Sequence, residues 1–366
     1  MEKPLLALTM LLILFFAILP STAQSESSNR QAFVSTLTQI DFNVTDTLNI
    51  TVNSSKPLYD VGSQIQINGS LELVHENSSF PLGGQLIALQ VNNRIGPYFF
   101  RTLETAPGTT PSQWQIEIKN AYIGDGDGNP LTSVVKGSIV YTWLTYYNNW
   151  NQPLHVEVAY TVVDDNNIPL FTSNPLALDL LPGFNYTVRD PWRIPNYAAD
   201  GNARLIANAF SSLPSLGGFP YCPEFIKTFI ITSQTTSTTD IGFITAQETG
   251  TYETSILTSK KVDTSIPYGT WIGNYTIYVA AKYGTELRAN SSATFQIRLA
   301  GDVDGVRNPS TGTYSVNILD AIKLSQAFGS KPGDSNWNPK ANFNGDDKVN
   351  ILDSIVLSVN FGNQAL

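Results

Sequence analysis

The chain has 366 residues, with 21 Lys and Arg against 30 Asp and Glu, a net charge of -9 and a pI near 4.7. That balance argues against nucleic acid as a partner, which needs clustered Lys and Arg. The single Cys222 excludes an internal disulfide, so stability has to come from buried cores and bound metal.

At the N-terminus, Met1-Glu-Lys3 precedes an almost wholly apolar run from Pro4 to Pro20, followed by Ser21-Thr22-Ala23. This predicts a secretory signal over residues 1–23, cut after Ala23 or retained as an anchor, and an extracellular or cell-surface destination. A polar segment, residues 24–38, follows. No later run is apolar for long enough to span a bilayer, so no membrane span is expected once the signal is removed.

From residue 39 to 299 the pattern is strand after strand. Between Val44 and Val52, Val44, Leu48, Ile50 and Val52 share one face, while Asn43, Thr45, Thr47, Asn49, Thr51 and Asn53 share the other. A period of two with one apolar face predicts a half-buried strand. Gln64–Val74, Gln85–Val91 and Tyr98–Thr105 read the same way, with Gly, Pro and Asn between them. This first stretch supplies about four strands, too few for a sandwich of about seven.

The next stretch supplies about seven of its own. They include Ser138–Tyr147, His155–Asp164, Ala203–Phe210 and Thr228–Thr232. It is bounded by Pro107-Gly-Thr-Thr-Pro-Ser112 and Thr235-Thr-Ser-Thr-Thr239, both linker-like. Three further strands are expected at Gly250–Leu257, Asn274–Tyr283 and Ser292–Leu299.

The predicted fold is therefore mainly β. It has two immunoglobulin-like β-sandwiches, one of them (113–233) inserted into another built from 39–106 plus 240–299. Three sandwiches in series is the alternative. The outer halves resemble macroglobulin MG2-type domains of surface proteins, through Ser55-Lys-Pro-Leu-Tyr-Asp-Val-Gly62 and Gly273-Asn-Tyr-Thr-Ile-Tyr-Val279.

No catalytic motif appears in this region. His75 and His155, the only histidines, sit in strand-like runs, and Cys222 lies in the Pro-rich turn Phe219-Pro-Tyr-Cys-Pro-Glu224 with no nearby His. Asp125-Gly-Asp-Gly-Asn129 opens like a calcium loop, but Lys136 stands where the closing acid belongs, so a hairpin turn is the reading. Carboxylates can be paired on paper for glycoside hydrolysis, yet the sandwiches leave no room for an enzyme fold. Trp143, Tyr146, Tyr147, Trp150 and Trp192 offer a sugar-binding face for polysaccharide, unless they are core. Asn-x-Ser/Thr sequons occur at Asn43, Asn49, Asn53, Asn68, Asn77, Asn185, Asn274 and Asn290.

The C-terminal segment, residues 301–366, carries a repeat. Val316 to Gly329 and Val349 to Gly362 match at ten of fourteen positions, offset by 33 residues. Each copy joins a loop of oxygen-bearing side chains to a short amphipathic helix, the arrangement calcium requires. In the second loop Asn342, Asn344 and Asp346 fall at positions 1, 3 and 5. The Lys348 carbonyl falls at 7, Asn350 at 9 and Asp353 at 12. Asp347 holds position 6, where a sharp turn favours Gly. In the first loop Asp302 and Asp304 hold positions 1 and 3, and Asp320 holds 12. Seven extra residues, Val306 to Gly312, intervene, so Thr313 or Asn308 has to supply position 5. One or two calcium ions are expected, the second loop being the cleaner.

The paired loop–helix units resemble a type I dockerin, through Val-Asn-Ile-Leu-Asp in each half and Gly301-Asp-Val-Asp-Gly305. They depart from that family in the insertion, in Asp347 for Gly and in Phe-Gly where Leu-Gly is common. The resemblance implies an EF-hand-like fold formed around calcium and docking onto a cohesin domain of another protein. The positions that set cohesin choice fall on Ile318, Leu319, Ile351 and Leu352, implying an apolar contact. A purely structural cap is the alternative.

Overall fold

In a computed structural model of the chain, residues 46–76, 78–106, 114–233, 250–257, 272–284 and 287–365 are described. The predicted signal, the polar segment, both predicted linkers, Val44 and the sequon residues Asn43 and Asn77 lie outside them. The described residues are mainly β, as the alternating pattern implies, with two α-helices near the C-terminus.

Residues 47–104 form β1 (Thr47–Ile50), β2 (Asn53–Ser54), β3 (Leu58–Asp60), β4 (Gln64–His75), β5 (Ser78–Pro81), β6 (Leu86–Asn92) and β7 (Pro97–Glu104). Residues 116–232 form β8 (Ile116–Gly124), β9 (Ser133–Val135), β10 (Ile139–Asn148), β11 (Leu154–Val163) and β12 (Pro169–Thr172). The same stretch continues with β13 (Leu176–Leu180), β14 (Asn185–Arg193), β15 (Gly201–Phe210) and β16 (Phe225–Thr232). Then come β17 (Thr251–Leu257), β18 (Gly273–Tyr283) and β19 (Leu287–Arg298). The C-terminal segment contains β20 (Tyr314–Ser315), α1 (Ile318–Ala327), α2 (Ile351–Asn360) and β21 (Gln364–Ala365).

Strands from both sides of the 116–232 stretch share sheets. One five-stranded sheet runs β1-β4-β17, with β2 and β5 also on β4; the other runs β3-β19-β18-β6-β7. Their inner faces meet in one core that contains Ile65, Ile67 and Leu71 of β4 and Tyr252 and Ile256 of β17. Ile87 and Leu89 of β6 and Tyr275 and Ile277 of β18 complete it from the facing sheet. Ring edges fill the middle: Tyr98 against Tyr275 at 5.4 Å, and Tyr59 against Phe295 at 5.6 Å.

Gly69 shows how tightly β17 is seated. Tyr252 lies directly opposite it, and the Tyr252 hydroxyl donates to the Thr51 carbonyl at 2.5 Å. A Cβ at Gly69 would stand 2.0 Å from that carbonyl and 2.4 Å from the Tyr252 hydroxyl. Only glycine leaves room for the ring.

Residues 116–232 form a second pair of sheets, β14-β10-β8 and β12-β11-β15-β16-β9 with β13 on β11. Between them lies a separate core that includes Val140, Leu144, Tyr146, Trp192 and Cys222. The two sheet pairs abut through Ala88, Phe100, Ala159 and Phe210, and through hydrogen bonds. Thr172 Oγ1 donates to the Tyr98 carbonyl at 2.7 Å, and Thr102 Oγ1 to Asn208 Oδ1 at 2.9 Å. Arg101 clasps Glu224 through Nε at 2.8 Å and an Nη at 2.5 Å, with both side chains mostly buried. A bidentate guanidinium–carboxylate pair fixes orientation as well as separation.

The C-terminal segment adds to the first core rather than making one apart. Val303, Val316, Leu324, Val349 and Leu357 are continuous with Ile297 and Leu299 of the sandwich. Arg298 ties the junction: it donates to Asp60 at 2.7 Å and to the Lys340 carbonyl at 2.7 Å, and stands 4.9 Å from the Phe343 ring centre.

Replacing Gly69 by Ala forces β17 away from β4 and is expected to lower unfolding free energy by about 2–3 kcal/mol, the usual cost of overpacking. Urea denaturation of Gly69→Ala against the unaltered protein measures it; an unchanged midpoint would mean that Tyr252 does not occupy this seat.

Candidate metal centre

The repeated sequence folds into repeated hydrogen bonding. At the start of α1, Asn317 accepts from Leu319 N at 2.8 Å, and Asp320 Oδ2 accepts from Asn317 N at 2.8 Å. At the start of α2, Asn350 accepts from Leu352 N at 2.7 Å, and Asp353 Oδ2 accepts from Asn350 N at 2.8 Å. These are reciprocal caps that satisfy donors the first helical turn leaves open.

The second oxygen of each aspartate reaches back into its loop. Asp320 Oδ1 accepts from Val303 N at 2.8 Å and Asp304 N at 3.0 Å. Asp353 Oδ1 accepts from Phe343 N at 2.6 Å and Asn344 N at 3.3 Å. Each loop then turns on a glycine: Asp302 Oδ1 accepts from Gly305 N and Asn342 Oδ1 from Gly345 N. Both glycines have positive φ, 62° and 72°.

The loops differ in charge. In the first, carboxylate oxygens of Asp302, Asp304 and Asp320 lie within 4.8 Å of one another. Asp320 is fully buried and Asp302 is 3% exposed. Burial, and then the neighbouring Asp320 and Asp304 carboxylates, push Asp302 up to about 7, against one hydrogen bond from Gly305 N. Buried carboxylates at this spacing repel unless a cation joins them, and hard oxygens in a tight loop suit a divalent one.

In the second loop Asn342 and Asn344 stand where the first has Asp302 and Asp304, while Asp353 keeps the carboxylate of Asp320. Asp346 is exposed, and Oδ2 accepts from Asn344 Nδ2 at 2.8 Å and Asn350 Nδ2 at 2.8 Å. Those amide bonds, Asn344 first, hold Asp346 below the usual carboxylate range. Asp347 has φ 60°, the left-handed conformation anticipated at that position. The second loop thus keeps the regular spacing, while the first holds the denser negative charge.

The seven-residue insertion closes on itself. Asn308 N donates to the Thr313 carbonyl at 2.8 Å, and Arg307 Nε donates to the Gly312 carbonyl at 2.6 Å. Asn308 Oδ1 is taken by Ser310 N at 2.9 Å and Thr311 N at 3.3 Å, and the Thr313 hydroxyl shares a hydrogen bond with Thr311. The Lys348 carbonyl accepts from Asn350 Nδ2 at 3.3 Å.

Around these loops the two helices present matching apolar residues. Ile318 and Ile351 are each 63% exposed, Leu319 54% and Leu352 51%. Ile322 and Ile355, one turn on, are exposed as well, and so are Phe328 and Phe361. Two corresponding stripes therefore face outward, while Leu324 and Leu357 face inward.

The other sequence candidates fall elsewhere. Asp125 accepts from Asp127 N, Asn129 N and Asn129 Nδ2, which makes the acidic run a tight turn. His75 is half-buried and paired with Asp46, and His155 is exposed and paired with Asp179. Tyr146 and Trp192 are core, and Trp143 is half-buried, stacked on Tyr122; of the aromatic five, Tyr147 is half-buried and Trp150 exposed. The described sequon residues Asn49, Asn53, Asn68, Asn185, Asn274 and Asn290 are all exposed. No helix among the described residues is long and apolar enough to cross a membrane.

No protein-family profile matches the chain, and no curated protein does. Among solved structures it is similar to an alkylpurine DNA glycosylase of Pseudomonas fluorescens, at 11% identity and TM-score 0.25, over 33% of this chain and 32% of that one. It is similar to a β-glucosidase of Erythrobacter marinus at 10% identity and TM-score 0.25, over 34% of this chain and 16% of that one. The C-terminal domain of wzt aligns at 10% identity and TM-score 0.27, over 35% of this chain and 86% of that one. The match thus spans a third or less of the glycosylase and the glucosidase.

Two outcomes follow. Asp320→Ala and Asp353→Ala each remove one carboxylate that holds three backbone donors, and each is expected to cost roughly 2–3 kcal/mol even in EDTA, read by thermal unfolding. Burial pushes the Cys222 thiol up to about 12. It should therefore resist a disulfide reagent at pH 8 in the native protein and react at once in guanidinium, as absorbance at constant temperature would show.

Proposed function

We propose that residues 301–365 are a calcium-dependent docking module of the dockerin type, which carries immunoglobulin-like and MG2-type sandwiches to a cohesin-bearing scaffold outside the cell. The observation that carries this reading is the doubling of one device. Asp320 and Asp353 each cap a helix with one oxygen and hold an acidic or amide loop with the other, beside an exposed Ile-Leu pair.

Asp302, Asp304 and Asp320 would hold one ion, with Thr313 at the position of Asp346. Asn342, Asn344, Asp346, the Lys348 carbonyl and Asp353 would hold a second. Calcium there would offset the repulsion among carboxylates, and the protein's own part is to fix their spacing through the loop amides. The apolar stripes would then bury against a partner, because exposed apolar patches of this kind mark interaction surfaces. The role is non-catalytic: the chemistry gathered at the loops is that of ligation.

A second reading has its own support. The core shared by Leu299, Val303, Val316 and Leu324 makes the module a cap on the first sandwich. Under that reading the chain is a self-contained surface or adhesion component whose calcium only stabilises the cap.

Calorimetric titration of the chelator-treated full chain with calcium, followed by pull-down with a cohesin domain, separates the readings. Docking predicts one or two calcium ions bound, a rise in melting temperature, and cohesin capture lost in EDTA. It also predicts roughly a hundredfold weaker capture when Ile318, Leu319, Ile351 and Leu352 are all changed to Asp. Calcium binding without capture supports the cap. No binding at millimolar calcium overturns both.

A further inference from the structure

A trough runs along the junction of the two sandwiches, away from the calcium loops. Its larger part, about 710 Å³, lies at one end of the second sandwich, where Trp114, Trp150 and Phe225 line it. A smaller part of about 250 Å³ shares Trp114 and Gln115 and is closed by Phe219, Tyr221 and Lys282. The space falls in the range of ligand clefts, and aromatic walls with a few polar groups are their usual lining.

The charges along it are uneven. Glu117 is paired with Lys119 at 2.6 Å, and Glu224 with Arg101 at 2.5 Å. Each acid therefore has its own base. Lys282, which lines the smaller part, and Arg288 face each other across β18 and β19. Both are drawn onto one ring, with Lys282 Nζ and Arg288 Cζ each 4.9 Å from the Phe219 ring centre. Like charges directly opposite on an antiparallel pair destabilise it. Burial first, and then Arg288, hold Lys282 below its ordinary value. Two cations held side by side beside aromatic walls offer a place to an anion that also has a flat apolar face.

We propose that this trough binds an acidic polysaccharide, a chain of pyranose uronates. Its carboxylates meet Lys282 and Arg288, and its sugar faces lie on Trp114 and Trp150. A uronate supplies both requirements in one residue: a planar carboxylate that a guanidinium can grip through two hydrogen bonds, and a C–H face for an aromatic ring. Nucleic acid also combines charge with flat rings, but it is held by Lys and Arg clustered along its backbone, and the trough offers a single such pair. The Gln115 amide and the Asn149 amide, which reaches Glu117 at 3.4 Å, stand where sugar hydroxyls would pass.

The test uses the full chain in EDTA, which silences calcium-bridged binding and makes the result independent of the metal loops. Binding of polygalacturonate oligomers is measured by calorimetry beside a neutral galactan and a single-stranded DNA oligomer. Expected are binding to polygalacturonate, at least tenfold weaker binding to galactan, and a fall in affinity with added salt. Lys282→Gln with Arg288→Gln should weaken the acidic ligand at least tenfold, and Trp150→Ala should weaken it without altering the charge. Far-UV circular dichroism checks that each variant is folded. The proposal is overturned if polygalacturonate fails to bind at millimolar concentration, if galactan binds equally, or if neither variant changes affinity. DNA binding with the same dependence on Lys282 and Arg288 would overturn it in favour of a nucleic-acid site.

Discussion

Strand β4 has an apolar face that nothing near it in sequence can complete. Ile65, Ile67 and Leu71 are fully buried, yet beside them on the β17 edge there is no partner until Thr251–Leu257 arrive. The facing sheet has the same need, for β6 pairs with β18 from Thr276↔Asn92 to Ala281↔Ile87. A small sheet with one wet face is marginal, so the first sandwich is stable only when both stretches are present. That constraint brings the ends of the intervening stretch near one junction. At that junction apolar contacts are joined by specific polar ones. Arg101 on β7 and Thr254 on β17 meet at 3.2 Å, so one side chain binds strands of the first sandwich to each other and, through Glu224, to the second.

The C-terminal loops obey a second constraint, that buried carboxylates need donors. Asp320 and Asp353 each satisfy it three times with backbone N–H groups, and this is why the two halves tolerate such different loops. The insertion leaves Asp302, Asp304 and Asp320 together because it leaves the loop after Gly305 and returns at Thr313 through its own hydrogen bonds. Without a cation the amides of the second loop already satisfy Asp346, whereas the first loop keeps three carboxylates in mutual repulsion. The more irregular loop therefore holds the denser uncompensated carboxylate charge, and the more regular one the ligand spacing.

The sequence was legible where alternation was strong. The alternation predicts a strand over Gln64–Val74, and β4 spans Gln64–His75; it predicts Asn274–Tyr283, and β18 spans Gly273–Tyr283. It was less legible where inward positions hold small residues. Strand β19 begins at Leu287, five residues before the predicted start at Ser292, because Ala289, Ser291 and Ala293 give no apolar signal. Among the site residues, Asp302, Asp304 and Asp320 follow from loop spacing, and Asp347 at positive φ follows from the turn. The aromatic face assigned from Trp143, Tyr146 and Trp192 did not separate core from surface, since strand spacing alone cannot say which sheet face is covered. Lys282 and Arg288 give no signal as a pair in the sequence, because they stand six positions apart. Only the register of the hairpin, with Tyr283 opposite Leu287, sets them side by side.

Charge links these observations. The chain is acidic overall, yet the described bases are mostly assigned: Arg298 to Asp60 and the Lys340 carbonyl, Arg101 to Glu224, Lys136 to Asp200, Arg204 to Asn167. Arg298 carries the most consequence, because it touches β3, the approach to the second loop and the Phe343 ring within that loop. A cation entering the loops would act on Asp302 and Asp304 only a few residues beyond Arg298 in sequence, and on the backbone beside Phe343 through Asp353. Changes in the loops would thus be felt at the base of the first sandwich through one guanidinium. The junction trough is lined by Glu224, which Arg101 holds, and Arg298 is not among its lining residues, so its charge and the charge of the loops are set by different side chains.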